Sequence, residues 1–212
     1  ASFGYASGCR HQTLLRASIS MNARYSLLSL LLLNLQILSC SMRIVVQRVK
    51  SASVTVENNK VSSIGPGTLA LVGLHENDTE KDMQYCCKRL LGAKLWANED
   101  GRPWRQSVKQ KQFSLLCVSQ FTLYGTLSKK NQPDYKLSMK AAPAEAAYNR
   151  FLSMLRESYE HDKVHDGVFG AIMDVELVND GPVTIVIDSE PAAKSSEADS
   201  GAKGENGVSK ES

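Results

Sequence analysis

From residue 42 onward the chain changes between two hydrophobic periods. In MRIVVQRV (42–49) and SVTVE (53–57) apolar residues recur at strand spacing, with Val54 and Val56 in strict alternation, so both stretches are expected as strands. NN at 58–59 signals a turn into a short strand, KVSSI, and GPG at 65–67 turns again into TLALVGL, a mostly buried strand. The period then lengthens. NDTEKDMQYCCKRLLGAKLW (77–96) opens on an Asp/Thr cap, repeats Met83, Cys86 or Cys87, and Leu90 at helical spacing, and carries Gly92 where a helix would end. WANEDGRPW reads as a loop, and FSLLCVSQFTLY (113–124) starts too apolar to be anything but a buried strand. In APAEAAYNRFLSMLRESY (142–159) Pro143 lies near a helix start, and Tyr148, Phe151, Leu152 and Leu155 form an i, i+3, i+4, i+7 stripe. Met173, Val175 and Leu177 share one strand face, Asp174 and Glu176 take the other, and VTIVID closes the pattern. Between those last two runs stands NDGPVT (179–184), whose Asn, Asp, Gly and Pro predict a hairpin loop. The expected fold is α/β: one strand-rich domain of antiparallel or mixed sheets covered by two helices, without regular βαβ alternation.

The pattern fails at both ends. Residues 1–41 contain no Asp or Glu, scatter Arg10, Arg16 and Arg24 among Ser, Ala and Leu, and include the apolar run SLLSLLLLNLQILSC. That run has signal-peptide length and is too short for a membrane span; the leader also resembles an organelle transit peptide. Two readings stand: a targeting segment, or upstream sequence before an initiator at Met42. Residues 189–212, rich in Ser, Ala, Gly, Glu and Lys and free of aromatics, are expected as a disordered tail. One domain, 42–188, remains between them. No membrane association is expected of it. Its expected location is cytoplasmic, or an organelle if the leader is a transit peptide.

Composition narrows the chemistry. With 212 residues, 42 % hydrophobic, the chain can build a real core, and its net charge of +3 permits an RNA partner without demanding one. Five cysteines lack CxxC spacing, which argues for reduced, mostly buried thiols rather than a zinc site or disulfide framework. His161 and His165 are four apart but lack an evident third ligand, so no metal is expected. GPG at 65–67 fits neither phosphate-loop pattern and is read as a turn. Ser119 lacks the G-x-S-x-G elbow, because Cys117 and Val118 precede it, so a Ser-His-Asp triad is not expected. SQFT nevertheless places polar and aromatic groups at the end of a buried strand. Lys129, Lys130, Lys136 and Lys140 follow it, and Arg102, Arg105, Lys109 and Lys111 precede it, with Trp96, Trp104, Tyr124 and Tyr135 interleaved. Positive charge beside aromatic rings suits a nucleic-acid end; a solvated loop face is the plainer alternative.

SQFTL (119–123) and NDGPVT (179–184) together resemble the two signature motifs of D-aminoacyl-tRNA deacylases, S-Q-x-x-L and N-x-G-P-x-T. The opening MRIVVQRVKSASVTV and closing FGAIMDVELVNDGPVTIVIDS are similar to that family's end strands; TLSKKNQPDYKLS is the least typical stretch. The resemblance implies a barrel-like fold and hydrolysis of the ester joining a D-amino acid to the terminal adenosine of tRNA, with activity toward glycyl-tRNA and no cofactor. It implies a homodimer in which a Gly-cis-Pro segment of one subunit enters the pocket of the other. Carried onto this chain, Ser119, Gln120, Phe121 and Thr122 line the catalytic wall. Gly181 and Pro182, within Asn179 to Thr184, form the chiral selector, and Arg48 helps to hold it. Lys129, Lys130 and Lys136 are the candidate contacts to the tRNA acceptor end. The rivals are a related deacylase that clears a small L-amino acid through a trans Gly-Pro, a non-catalytic nucleic-acid-binding module, and a generic serine esterase.

Overall fold

The computed structural model describes residues 41–189. The leader and the tail expected from sequence lie outside them, apart from Ser41 and Ser189, which are buried at the margins of the folded body. The Met42 backbone N–H donates to Ser189 Oγ at 3.0 Å, drawing the two ends together.

A mixed sheet organises the domain. Strand β1 (Arg43–Val56) pairs antiparallel with β2 (Asn59–Ile64) and β3 (Gly67–Gly73) along one side and with β10 (Asp174–Asp188) along the other. β3 then pairs in parallel with β6 (Ser114–Ser119), and β6 in parallel with β9 (Val164–Asp166), giving the order β10-β1-β3-β6-β9. The parallel strands explain the unbroken apolar run LLCV in β6, which is buried on both faces. Gly67 permits the β3–β6 approach: a Cβ there would lie 2.0 Å from the Ser114 carbonyl oxygen.

Among the described residues there are three helices, not two. Helix α1 (Glu80–Gly92) and helix α3 (Ala141–Ser158) are the expected ones; α2 (Val108–Lys111) is a single turn closed by a reciprocal cap between Ser107 and Gln110. Asp82 anchors the start of α1, its Oδ2 accepting from the Thr79 backbone N–H (2.8 Å) and hydroxyl (2.6 Å). Residues Lys94–Trp96, beyond Gly92, leave the helix and form β4, which pairs with β5 (Gln106–Ser107). Tyr148, Phe151, Leu152 and Leu155 of α3 are all buried, as their stripe predicts, together with Met83, Cys86, Cys87 and Leu90 of α1 and the outer sheet face. At roughly 1.5–3 kcal/mol for each large apolar side chain buried, this layer dominates stability. A second cluster, Val49, Ala52, Val54, Ile64, Leu69, Leu116 and Val118, fills the inside of the curled sheet.

Two expectations are corrected. MRIVVQRV and SVTVE form one strand, bent where Lys50 falls out of register between Val49 and Ser51. NDGPVT is no hairpin loop: it lies inside the single strand β10. Arg43 to Arg48 pair with Asp188 to Val183, and Val49 to Thr55 pair with Asn179 to Asp174, leaving Asp180, Gly181 and Pro182 as a three-residue bulge. Both halves run the same way along the same neighbour, which period-2 alternation cannot distinguish from two separate strands.

Candidate active site

Ser119 ends β6 opposite Val72 of β3, and the Gln120 backbone N–H extends the ladder one step by donating to the Val72 carbonyl at 2.7 Å. The chain then tightens into a 3₁₀ turn, Phe121–Tyr124, rather than continuing as the strand expected over 113–124. Gly73 makes room for it, since a Cβ there would stand 3.1 Å from both Leu123 and Tyr124 side-chain atoms. Tyr124 pins the turn from inside: its hydroxyl donates to the Ser41 carbonyl, and its ring meets His75 edge-on at 5.4 Å. From outside, the Ser138 hydroxyl donates to the Phe121 carbonyl at 2.8 Å and Tyr135 packs edge-on against Phe121 at 5.0 Å. The Gln120 side-chain amide donates to Thr122 Oγ1. The backbone N–H groups of Phe121 and Thr122 open the turn and find no acceptor among the described residues.

A cavity of about 760 Å³ opens on this turn. Ser119, Gln120, Ser138, Glu76, Lys136 and Lys140 give it a polar side; Leu74, Val118, Ala144, Phe169, Met173 and Val175 give it an apolar one. Few polar groups converging on an apolar hollow is the usual make-up of a small-molecule site. The cavity gathers Ser119, Gln120, Phe121 and Lys136 of the residues singled out from sequence. Thr122, one residue beyond, is exposed and touches the site through Gln120. Lys129 and Lys130 sit on the exposed turn between β7 (Thr126–Leu127) and β8 (Pro133–Asp134), outside the cavity lining. Lys136 is partly engaged already, its ammonium 3.2 Å from Asp134. The Lys136 backbone N–H, and then its ammonium, hold that carboxyl below its ordinary range. Sequence patterns missed Glu76 and Phe169, which come from segments distant in the chain; an apolar residue in the polar run around HDGVFG was the available signal.

The second group forms elsewhere. Gly181 and Pro182 are exposed at the tip of the β10 bulge, joined by a cis peptide, the isomer the family resemblance implies. Asn179 and Thr184 flank it, paired with Val49 and Gln47. Gly181 has φ +122, and a Cβ would stand 3.0 Å from Val183 Cγ2 and 3.1 Å from an Arg48 nitrogen, so the position requires glycine. Arg48 ties the bulge down: its Nε donates to the Asp180 carbonyl at 3.0 Å and lies 3.0 Å from the Asp180 carboxylate. None of Arg48, Asn179, Gly181, Pro182 or Thr184 lines the cavity of its own chain.

No histidine or carboxylate bonds Ser119 among the described residues. His75 is buried, and its Nδ1 accepts from the Asn77 N–H at 3.2 Å, a structural role. His161 lies on a 3₁₀ turn (His161–Lys163) and His165 on β9, so the two do not share a helix face. Cys86, Cys87 and Cys117 are buried and unpaired. Burial raises all three thiols, Cys86 to about 12, which makes them poor nucleophiles.

Comparison with known proteins identifies the scaffold. The family profile D-Tyr-tRNA(Tyr) deacylase matches residues 45–188. The chain is 51 % identical over 148 residues to the D-aminoacyl-tRNA deacylase of Drosophila melanogaster, a match spanning 70 % of this chain and 92 % of that one. It is 45 % identical over 148 residues to D-aminoacyl-tRNA deacylase 1 of Homo sapiens, covering 70 % of each. Among solved structures, the c-Myc DNA Unwinding Element Binding Protein superposes with a TM-score of 0.68 at 44 % identity, covering 71 % of this chain and 99 % of that one. A probable eukaryotic D-amino acid tRNA deacylase superposes with a TM-score of 0.60 at 19 % identity, over 70 % and 99 %, a likeness of fold alone. With its profile match spanning most of the folded body, the chain belongs to the D-Tyr-tRNA(Tyr) deacylase family.

Proposed function

We propose that this protein hydrolyses the ester of D-aminoacyl-tRNA, releasing the D-amino acid and free tRNA, and treats glycyl-tRNA in the same way. The observation that carries the reading is the hollow at the end of β6, where Phe121, whose N–H group is left without an acceptor among the described residues, lines the wall beside Ser119 and Gln120. Water adds to the ester carbonyl carbon, and the carbonyl oxygen takes the developing negative charge. The free Phe121 N–H donates a hydrogen bond to that oxygen; removing one such donor typically costs about 10²–10³ in rate. The C–O bond to the ribose then breaks, and the proton released by the water leaves with the ribose oxygen. An aminoacyl ester is already activated, so orienting the carbonyl, the water and the neighbouring ribose hydroxyl lowers the barrier without a covalent nucleophile. The Gln120 N–H takes no part, since Val72 occupies it.

Two copies complete the site. The Gly181–Pro182 tip is exposed and stands apart from its own cavity, and β10 lies at the edge of the sheet, which suits insertion into a partner's pocket. Rigid main chain then meets the substrate α-carbon from one side, where an L side chain collides and a D side chain points outward. Selection by exclusion does not grip the side chain, so many D-amino acids pass and glycine is not rejected. The test is a paired assay with D-Tyr-tRNA and L-Tyr-tRNA. Rapid release from the D ester with the L ester spared is the expected result. Equal rates would rule out chiral selection, and preferential release of a small L-amino acid such as alanine would move the protein to the rival branch.

A further inference from the structure

Arg48 is held from two directions. The β10 bulge takes its Nε, through the Asp180 carbonyl and carboxylate, and the β4–β5 hairpin takes the rest of the guanidinium. From that hairpin the Leu95 carbonyl accepts from Nη1, and the Trp104 ring lies over the guanidinium carbon, 5.9 Å from its centroid. Trp104 is an unusual residue for its position. Its φ of +59 places it in the left-handed region, where a bulky L side chain is strained, and it remains 53 % exposed. Packing does not account for a large ring held half in water on unfavourable backbone. The hairpin connection is built to keep it there. Asn98 accepts from the Arg102 N–H through its side chain at 2.8 Å, donates its own N–H to the Arg102 carbonyl at 3.0 Å, and Arg105 N–H donates to the Trp96 carbonyl at 2.8 Å.

We propose that Trp104 is a specificity-determining positioning residue, whose ring fixes the Arg48 guanidinium and through it the Asp180–Pro182 bulge that discriminates mirror-image aminoacyl groups. The ring confines the guanidinium to one plane by cation–π contact while Leu95 and Asp180 set its orientation within that plane. With the ring gone, Arg48 keeps its hydrogen bonds but gains freedom to tilt, and the bulge tilts with it. Tip displacement opens space on the side that excludes an L side chain and loosens the fit of a D ester. The proposal rests on the deacylase reading above.

Trp104→Asn separates this role from a structural one. Asn tolerates the left-handed region far better than Trp, so the hairpin is preserved while the ring is removed. The variant is expected to unfold at the parent temperature or above it. Its ratio of D-Tyr-tRNA to L-Tyr-tRNA hydrolysis should fall about two- to fivefold, the size of one half-exposed cation–ring contact, and through kcat rather than KM. Trp104→Phe, which keeps a ring, should restore most of the ratio. Solvent exchange of the Arg48 Nε–H, followed by NMR, should quicken in the Asn variant and not in the Phe variant. A parent-like ratio with parent-like exchange in Trp104→Asn overturns the proposal, and a lowered ratio with unchanged exchange overturns the route through Arg48. If the parent chain itself fails to distinguish the two esters, the functional reading fails, and the exchange measurement still decides whether Trp104 restrains Arg48.

Discussion

Arg48 answers to three carboxyl or carbonyl oxygens and one ring, and that density of contact explains why a mostly buried guanidinium is tolerated beside an exposed tip. Asp78 presents the opposite case, a carboxyl short of partners. Its Oδ2 accepts from the His75 N–H at 2.8 Å, but its Oδ1 is buried without a hydrogen bond. Burial is the largest influence and raises its pKa from 3.8 to about 7; the His75 N–H opposes the rise and nearby Asp82 adds to it. Between those values the folded chain keeps a proton that the unfolded chain has released. The stabilisation is therefore complete below pH 3.8 and is lost as pH rises through about 7. Asp78→Asn removes this titration. The unfolding temperature of the parent should fall relative to that of the variant between pH 4 and pH 8 by roughly 2–4 °C, allowing for solvent screening of a part-exposed group. A difference curve that stays flat across that range would show that Asp78 ionises normally.

At the scale of elements, β10 joins two jobs in one strand. Its inner residues Val183, Ile185 and Ile187 pack on the helical core, while Val178 and Val186 face outward at 54 % and 57 % exposure. A 15-residue edge strand with apolar outward positions and a bulge is a surface in need of a partner. If a second copy covers it, Val178→Lys with Val186→Lys should raise the dimer dissociation constant at least about tenfold, visible by light scattering during size exclusion. Activity should fall with dimer content, because each pocket loses the other chain's Gly181–Pro182. An undiminished dimer would move the interface to another face. The same strand marks the limit of what the sequence discloses. Local periods revealed both long helices and the buried run before Ser119, because each is written in adjacent side chains, and the two motifs were legible through their resemblance to the deacylase family. They could not reveal that MDVELV and VTIVID share β1 as neighbour, which is a long-range fact, and so NDGPVT looked like a turn. The β4–β5 hairpin was hidden for a similar reason. With strands of three and two residues it offers no alternation to detect, and only the folded chain brings Leu95 and Trp104 to Arg48.

At the scale of the whole molecule, if the substrate is aminoacyl-tRNA as proposed, a body of modest charge has to hold a polyanion by its end. A net charge of +3 supplies little long-range attraction, so local placement of cations has to matter more than their number. Lys136 lines the cavity but shares its charge with Asp134. Lys129 and Lys130 project from the β7–β8 turn, separated from the Phe121–Tyr124 3₁₀ turn by Gly125 and β7, and neither makes an ion pair among the described residues. If the ester lies over Phe121 as proposed, these two lysines would meet phosphates just inside the terminal nucleotide. Reversing both to Glu should raise KM for D-Tyr-tRNA, leave kcat near the parent value, and flatten the dependence of log kcat/KM on log salt by about 1.4–1.8 units if each lysine meets one phosphate. The D-tyrosyl ester of adenosine carries no such phosphates and gives the control. Its hydrolysis should be unchanged in the double variant, which separates a lost grip on the RNA from a damaged pocket. An unaltered salt slope with tRNA would return Lys129 and Lys130 to an ordinary solvated face and leave recognition to the terminal adenosine and the cavity alone.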